Sequence, residues 1–165
     1  DVIMVDAYQD ITIPFQMSSV EFFNMVKDHL TENGVMVVNM NMRGSGEGNI
    51  NQYLADTIAS VFGTVYTADV KGSTNRELFA SNQEDMLDTL KNNAGNLANA
   101  DLQNMMIAVA DTSTQYDGGG YIMTDDKAPV ELLGMQVIDQ VIKEEVAYYK
   151  GIYEEQGLDG LLQSL

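Results

Sequence analysis

Carboxylates are the side chains of this chain best placed to do chemistry. Asp6 closes the opening run Asp1-Val-Ile-Met-Val-Asp6-Ala-Tyr-Gln-Asp10, and Asp10 follows closely enough to point into the same cleft. A second acidic group, Asp125, Asp126 and Glu131, lies towards the other end. Acids that converge on a cleft can hold an ammonium, and one can take a proton as the amine attacks. A protonated amine is no nucleophile, so an enzyme that alkylates amines needs such a base. On spacing alone, a turn-capping role for Asp6 is an equal alternative.

Other catalytic apparatus is scarce. There is one histidine and no cysteine, so a Ser-His-Asp triad, a thiol nucleophile or a His/Cys metal centre would need further residues. No metal is expected. His29 falls in the last turn of a surface helix, where positive charge suits the helix end. Arg43-Gly-Ser-Gly-Glu-Gly48 follows a strand and precedes a helix, as a phosphate cradle would. It fits neither G-x-G-x-x-G nor a Walker sequence, and its glutamate would repel phosphate. It reads as an ordinary loop. The eleven methionines read as core filler.

The formal charge is −17, with eight Lys and Arg against twenty-five Asp and Glu. Nucleic acid would need a basic patch, and none is present. A negative field concentrates cationic ligands, although solubility is the commoner reason for such a surface. No apolar run is long enough to cross a bilayer, so no membrane contact is expected of this segment. The lack of cysteine agrees with a reducing, cytoplasmic setting.

The elements that must position these acids follow from periodicity. At 165 residues and 45% hydrophobic content, the chain is expected to form one domain, 1–165. Residues 2–5 form an apolar, mostly β-branched run, as in a strand buried on both faces of a parallel α/β sheet. Ligands bind beyond the carboxyl ends of such strands, which is where Asp6 stands. Ser18 and Glu21 suggest a capping box for a helix bearing Phe22, Phe23, Val26 and Leu30, with a left-handed cap at Asn33-Gly34. A strand over 35–40 completes a strand–helix–strand unit with a right-handed crossover. A helix over 50–61, a strand over 64–69 and a short, antiparallel strand over 78–80 come next. Residues 82–110 suggest two helices, near 83–91 and 97–108, the second readable in part as a strand. Residues 118–120, all glycine, read as a flexible connector. A last helix is expected from Pro129 at its first position to about Gln156, with Gly134 and Gly151 as breaks, then a short helix over 158–165.

At these residues the chain resembles the spermidine synthase-like polyamine aminopropyltransferases. The resemblance is carried by Asp1-Val-Ile-Met-Val-Asp6-Ala-Tyr8, Asp10-Ile-Thr-Ile-Pro14-Phe, Asn33-Gly34-Val-Met-Val-Val-Asn39 and Thr124-Asp125-Asp126-Lys-Ala-Pro129-Val-Glu131. It implies a Rossmann-like, methyltransferase-type α/β fold, here the later half of the sheet plus a C-terminal helix. It also implies aminopropyl transfer from decarboxylated S-adenosylmethionine, a co-substrate, to putrescine or a similar amine. By the same resemblance Asp6 is the base and Asp10 binds the amine, with Tyr8, Asp125, Asp126 and Glu131 as further substrate contacts. The family pattern Asp-Ser-Ser-Asp-Pro is here Asp-Ala-Tyr-Gln-Asp, which moves the second acid by one residue and puts the diamine contact in question. The nucleoside-binding loop of the family is expected upstream of Asp1, so the fragment alone is expected to be inactive. A homodimer is left open. A methyltransferase on the same fold and a non-catalytic polyamine-binding domain are the alternatives.

Overall fold

A computed structural model of the chain describes residues 1–6, 13–41 and 46–164. Its secondary structure runs β1 (Val2–Val5), a 3-10 turn (Phe15–Met17), α1 (Val20–His29), β2 (Val35–Asn41), α2 (Ile50–Val61), β3 (Thr64–Asp69) and β4 (Asn75–Ser81). There follow α3 (Met86–Gly95), α4 (Ala100–Thr112), β5 (Thr114–Gln115) and α5 (Val130–Ser164). The strands form one mixed sheet in the order β1-β2-β4-β3-β5. β1 and β2 are parallel, and β4 lies antiparallel between β2 and β3. The result is an α/β, Rossmann-like sheet with flanking helices and a C-terminal helix, as the sequence suggested.

Alternation on the strands sorts residues between two faces. Val5, Met36, Val38, Met40, Val65, Leu78 and Ala80 are buried on one face. The apolar sides of α1 and α2 (Phe23, Val26, Leu54, Ile58) and the start of α5 (Val130, Leu133, Val137) complete this core. On the other face the α3–α4 pair lies over Tyr66 and Phe79, enclosing an apolar cavity of about 390 Å³.

Several boundaries differ from the sequence reading, each for a local reason. β1 was expected to be buried on both faces, yet Val2 and Met4 are 61% and 72% exposed. Among the described residues β1 pairs only with β2, and no element covers that side of it. The N-cap of α1 is Ser19, whose hydroxyl accepts from Phe22 N. Ser18 is instead turned back, donating to Phe15 O at 2.8 Å to close the 3-10 turn. Glu21 therefore forms no capping box and accepts from Asp125 N at 3.0 Å. α1 ends at His29, before Asn33-Gly34. Gly34 is needed because a Cβ there would lie 2.9 Å from Leu30 Cβ and 3.1 Å from Asp1 O.

β4 is longer than the apolar triplet 78–80, because the hairpin to β3 pairs polar residues out to Asp69 and Arg76. α3 and α4 lie a few residues later than expected, and the segment readable as a strand is helical. Pro129 stands just before the first helical residue of α5, its carbonyl accepting from Leu133 N at 3.0 Å. Gly134 and Gly151 do not break α5; the break is at Gly157, with φ 69°. Only the first turns of α5 are buried, and Ile142, Val146, Tyr148 and Tyr153 are exposed along the remainder.

Candidate functional site

The carboxyl end of β1 is the natural starting point, because parallel strands deliver ligand-binding side chains there. Asp6 follows β1 directly and is exposed. Asn39 of β2 donates from Nδ2 to Asp6 Oδ1 at 3.2 Å. The β1–β2 register pairs Val5 with Val38, which brings Asn39 to the end of β1. The antiparallel β2–β4 register then sets Glu77 directly opposite Asn39. Residues directly opposite in a sheet share a face. Asp6, Asn39 and Glu77 thus form a row across β1, β2 and β4.

The electrostatics of this row are unrelieved. Partial burial, and after it the negative charge of Asp6, raise the Glu77 carboxyl above its ordinary value. No ion pair among the described residues involves either acid. Arg76, the chain neighbour of Glu77, is paired across the opposite face with Asp69 and holds that carboxyl below its ordinary value. Asn39 Oδ1 is buried without a hydrogen-bond partner. Buried polar atoms normally have one, and leaving an acceptor unmade costs about 1–3 kcal/mol. Among the described residues, the one donor in this row is the Asn39 amide, and no cationic group pairs with it.

The second acidic group is placed differently. Thr124 and Lys127 form an isolated antiparallel bridge around a tight turn, with Asp125 and Asp126 at its tip. Asp125 Oδ1 accepts from Ser19 Oγ while its own N–H bonds to Glu21, so the turn is clasped to the start of α1. Met123 beside it is fully buried; its N–H donates to Thr57 Oγ1 of α2 and its carbonyl accepts from Val20 N of α1. Because α1 begins where β1 ends, this clasp and Asp6 lie at the same end of the sheet. No described hydrogen bond or ion pair joins them. Asp126 is exposed at the turn, and Glu131 is exposed in the first turn of α5, on a shallow depression beside Phe15 and Leu132. Tyr8 and Asp10 lie outside the described residues, as does most of the loop with Arg43.

In the run 118–120, read from sequence as a flexible connector, Gly118 and Gly119 lie close against α2, whereas Gly120 has open space beside it. Tyr121 N donates to Asp56 Oδ2 at 3.0 Å and Tyr116 Oη donates to Asp56 Oδ1 at 2.5 Å. A Cβ at Gly119 would lie 2.6 Å from Asp56 Oδ2, so glycine is what lets the backbone reach the carboxylate. Asp56 is 1% exposed. Burial and this carboxylate push the Tyr116 hydroxyl well above its ordinary value.

Sequence reasoning missed Asn39 and Glu77 as a pair. The available signal was Asn39 after the apolar run of β2 and Glu77 just before the apolar part of β4, but joining them required knowing that β4 inserts beside β2. The apolar cavity under the α3–α4 pair is a poor rival. Asp1, Asn33, Val35 and Gln83 at its rim place it at the amino ends of β1 and β2. Its lining is mostly apolar, and its ionisable residues are Asp1 and Tyr66.

A Rossmann-like sheet with a carboxylate and an amide at the strand ends defines an α/β protein with an acidic candidate site. No known family profile matches the chain. Over its whole length it is 51% identical to a probable polyamine aminopropyl transferase of Bifidobacterium longum (strain NCC 2705). The match spans 41% of that relative's length. The chain is therefore a relative of a probable polyamine aminopropyl transferase, in agreement with the resemblance carried by its Asp6 and Thr124–Glu131 blocks. Among the described residues no helix is long and apolar enough to cross a membrane.

Proposed function

We propose that the chain provides the amine-binding part of a polyamine aminopropyltransferase, corresponding to the C-terminal portion of its catalytic domain. The carrying observation is the strand-end Asp6, tied to Asn39 and facing a second unpaired carboxylate, in a chain 51% identical to a relative of that name. Asp6 accepts a proton from the attacking ammonium, so that the nitrogen lone pair becomes available. The nitrogen then bonds to the aminopropyl carbon next to sulfur in decarboxylated S-adenosylmethionine. The carbon–sulfur bond breaks and its electrons stay on sulfur, leaving a neutral thioether. Asn39 fixes the orientation of the Asp6 carboxylate throughout.

Asp10 and Tyr8 follow Asp6 closely and supply the amine contacts in this reading. Asp126 and Glu131, which like Asp125 are exposed, add negative potential at the rim. Asp125 contributes by holding its turn against α1. The acceptor is putrescine or a similar amine, and the setting is cytoplasmic. Paired carboxylates at the strand ends weigh against a methyltransferase acting on an uncharged substrate. The test is to incubate the longer protein that contains this chain with decarboxylated S-adenosylmethionine and putrescine, and to look for spermidine by mass spectrometry. Spermidine is expected; its absence would remove the assignment.

A further inference from the structure

We propose that Glu77 of β4 is a specificity-determining residue that holds the second ammonium of a diamine whose reacting nitrogen lies at Asp6. This inference rests on the amine-alkylating reading above and adds a residue to it from the opposite side of β2.

The register fixes the geometry. Glu77 stands opposite Asn39 on one side and opposite Ala68 of β3 on the other. Asn39 reaches across to Asp6. Two strand spacings, about 10 Å between backbones, separate β1 from β4. Carboxylates that far apart, with side chains of different length, suit two cationic groups on one flexible chain better than a single small ion. Among the described residues no group of three or more metal-ligating side chains exists.

The energetics point the same way. An unpaired, partly buried carboxylate is costly, and a like charge nearby adds to the cost. The groups that face Glu77 are Asp6, Asn39 and Ala68; Arg76 is turned to the other face and engaged by Asp69. No described side chain neutralises it. A bound ammonium would, with a charge-assisted hydrogen bond that neutral partners cannot match. Asn39 Oδ1, buried and unpartnered between the two acids, lacks a donor, and an amine N–H is one. A monoamine satisfies one end of this row, whereas a diamine satisfies both.

The experiment compares putrescine with 1-aminobutane by calorimetry on the intact chain, in wild type, Glu77→Gln, Glu77→Asp and Asp6→Asn. Wild type should bind putrescine at least about tenfold more tightly than the monoamine, the scale of one charge-assisted contact. Glu77→Gln should bring that ratio close to one, lowering putrescine affinity more than monoamine affinity, and Glu77→Asp should restore part of it. Asp6→Asn should weaken both ligands. In wild type the ratio should fall as pH is lowered and Glu77 protonates, and in Glu77→Gln it should be flat. An unchanged ratio in Glu77→Gln, or no diamine preference in wild type, would overturn the proposal. Spermidine formation is measured separately on the longer protein. Its absence alongside an intact Glu77-dependent ratio would defeat the transfer reading alone. Its presence with a Glu77-independent ratio would defeat this inference alone.

Discussion

Two sets of carboxylates in this chain differ in what surrounds them. Asp56 and Asp125 are answered by the protein itself: Asp56 takes Tyr116 Oη and Tyr121 N, and Asp125 takes Ser19 Oγ. Among the described residues, Asp6 and Glu77 have only an amide between them and repel one another. The first pair stitches residues 116–125 to α1 and α2. The second pair is left for something else to satisfy. Sequence position alone does not separate them, since Asp56 lies within a helix, Glu77 within a strand, Asp6 at a strand end and Asp125 at a turn. The partners do.

The largest expected effect falls on chemistry. Asp6→Asn in the longer protein should lower aminopropyl transfer by about 10²–10⁴-fold, the usual contribution of a positioned general base. Its melting temperature should hardly move, because Asp6 is exposed and makes one described hydrogen bond. Asp56→Ala should do the opposite. Removing a buried carboxylate that satisfies a hydroxyl and a backbone N–H should cost about 2–4 kcal/mol in a urea titration. A mild effect there would mean that the 116–121 seam is not held as described.

A smaller loss is expected at the clasp. Asp125→Ala should cost about 1 kcal/mol, the value of one or two hydrogen bonds at a helix start. Glu77→Gln should raise stability slightly at neutral pH, since it removes an unpaired carboxylate. The sign follows from linkage: the folded-state affinity of Glu77 for its proton is raised, so the folded protein binds more protons than the unfolded chain in that window. Stability from this group therefore declines as pH rises from the ordinary carboxylate range through its raised value. Asp69, held low by Arg76, acts in reverse, and what it adds is lost as pH falls through its lowered value. Melting curves at several pH values for wild type and Glu77→Gln should diverge on the alkaline side. Parallel curves would mean that Glu77 is not strained in the folded state.

Much of the fold was legible because burial on one face leaves a strong imprint. The helix 50–61 and the strand 64–69 were read with their observed limits, and the Asn49 cap and Asp69 turn explain why. What sequence could not show was which of two adjacent residues caps a helix. Ser18 and Ser19 are equivalent locally, and only the 3-10 turn decides between them. Nor could it show that β4 would insert between β2 and β3, on which the meeting of Asn39 and Glu77 depends. At the site, the position of Asp6 at the end of β1 was legible from its place after an apolar run, but spacing alone left a turn-capping role equally good. Asp125 was legible as important, but its bond to Ser19 spans 106 positions and carries no local signal. The glycines at 118–120 illustrate the same limit, since close approach and flexibility ask for the same residue.

The most direct test joins both sides of the comparison in one assay. Spermidine formation is measured for wild type, Asp6→Asn and Asp125→Ala in the longer protein, each also checked for its melting temperature. The account predicts that Asp6→Asn melts like wild type and is slower by at least about 10²-fold, as removal of a general base requires. Asp125→Ala should melt earlier and keep most of its rate below that transition. Undiminished product from Asp6→Asn would contradict the assignment of Asp6 as the base.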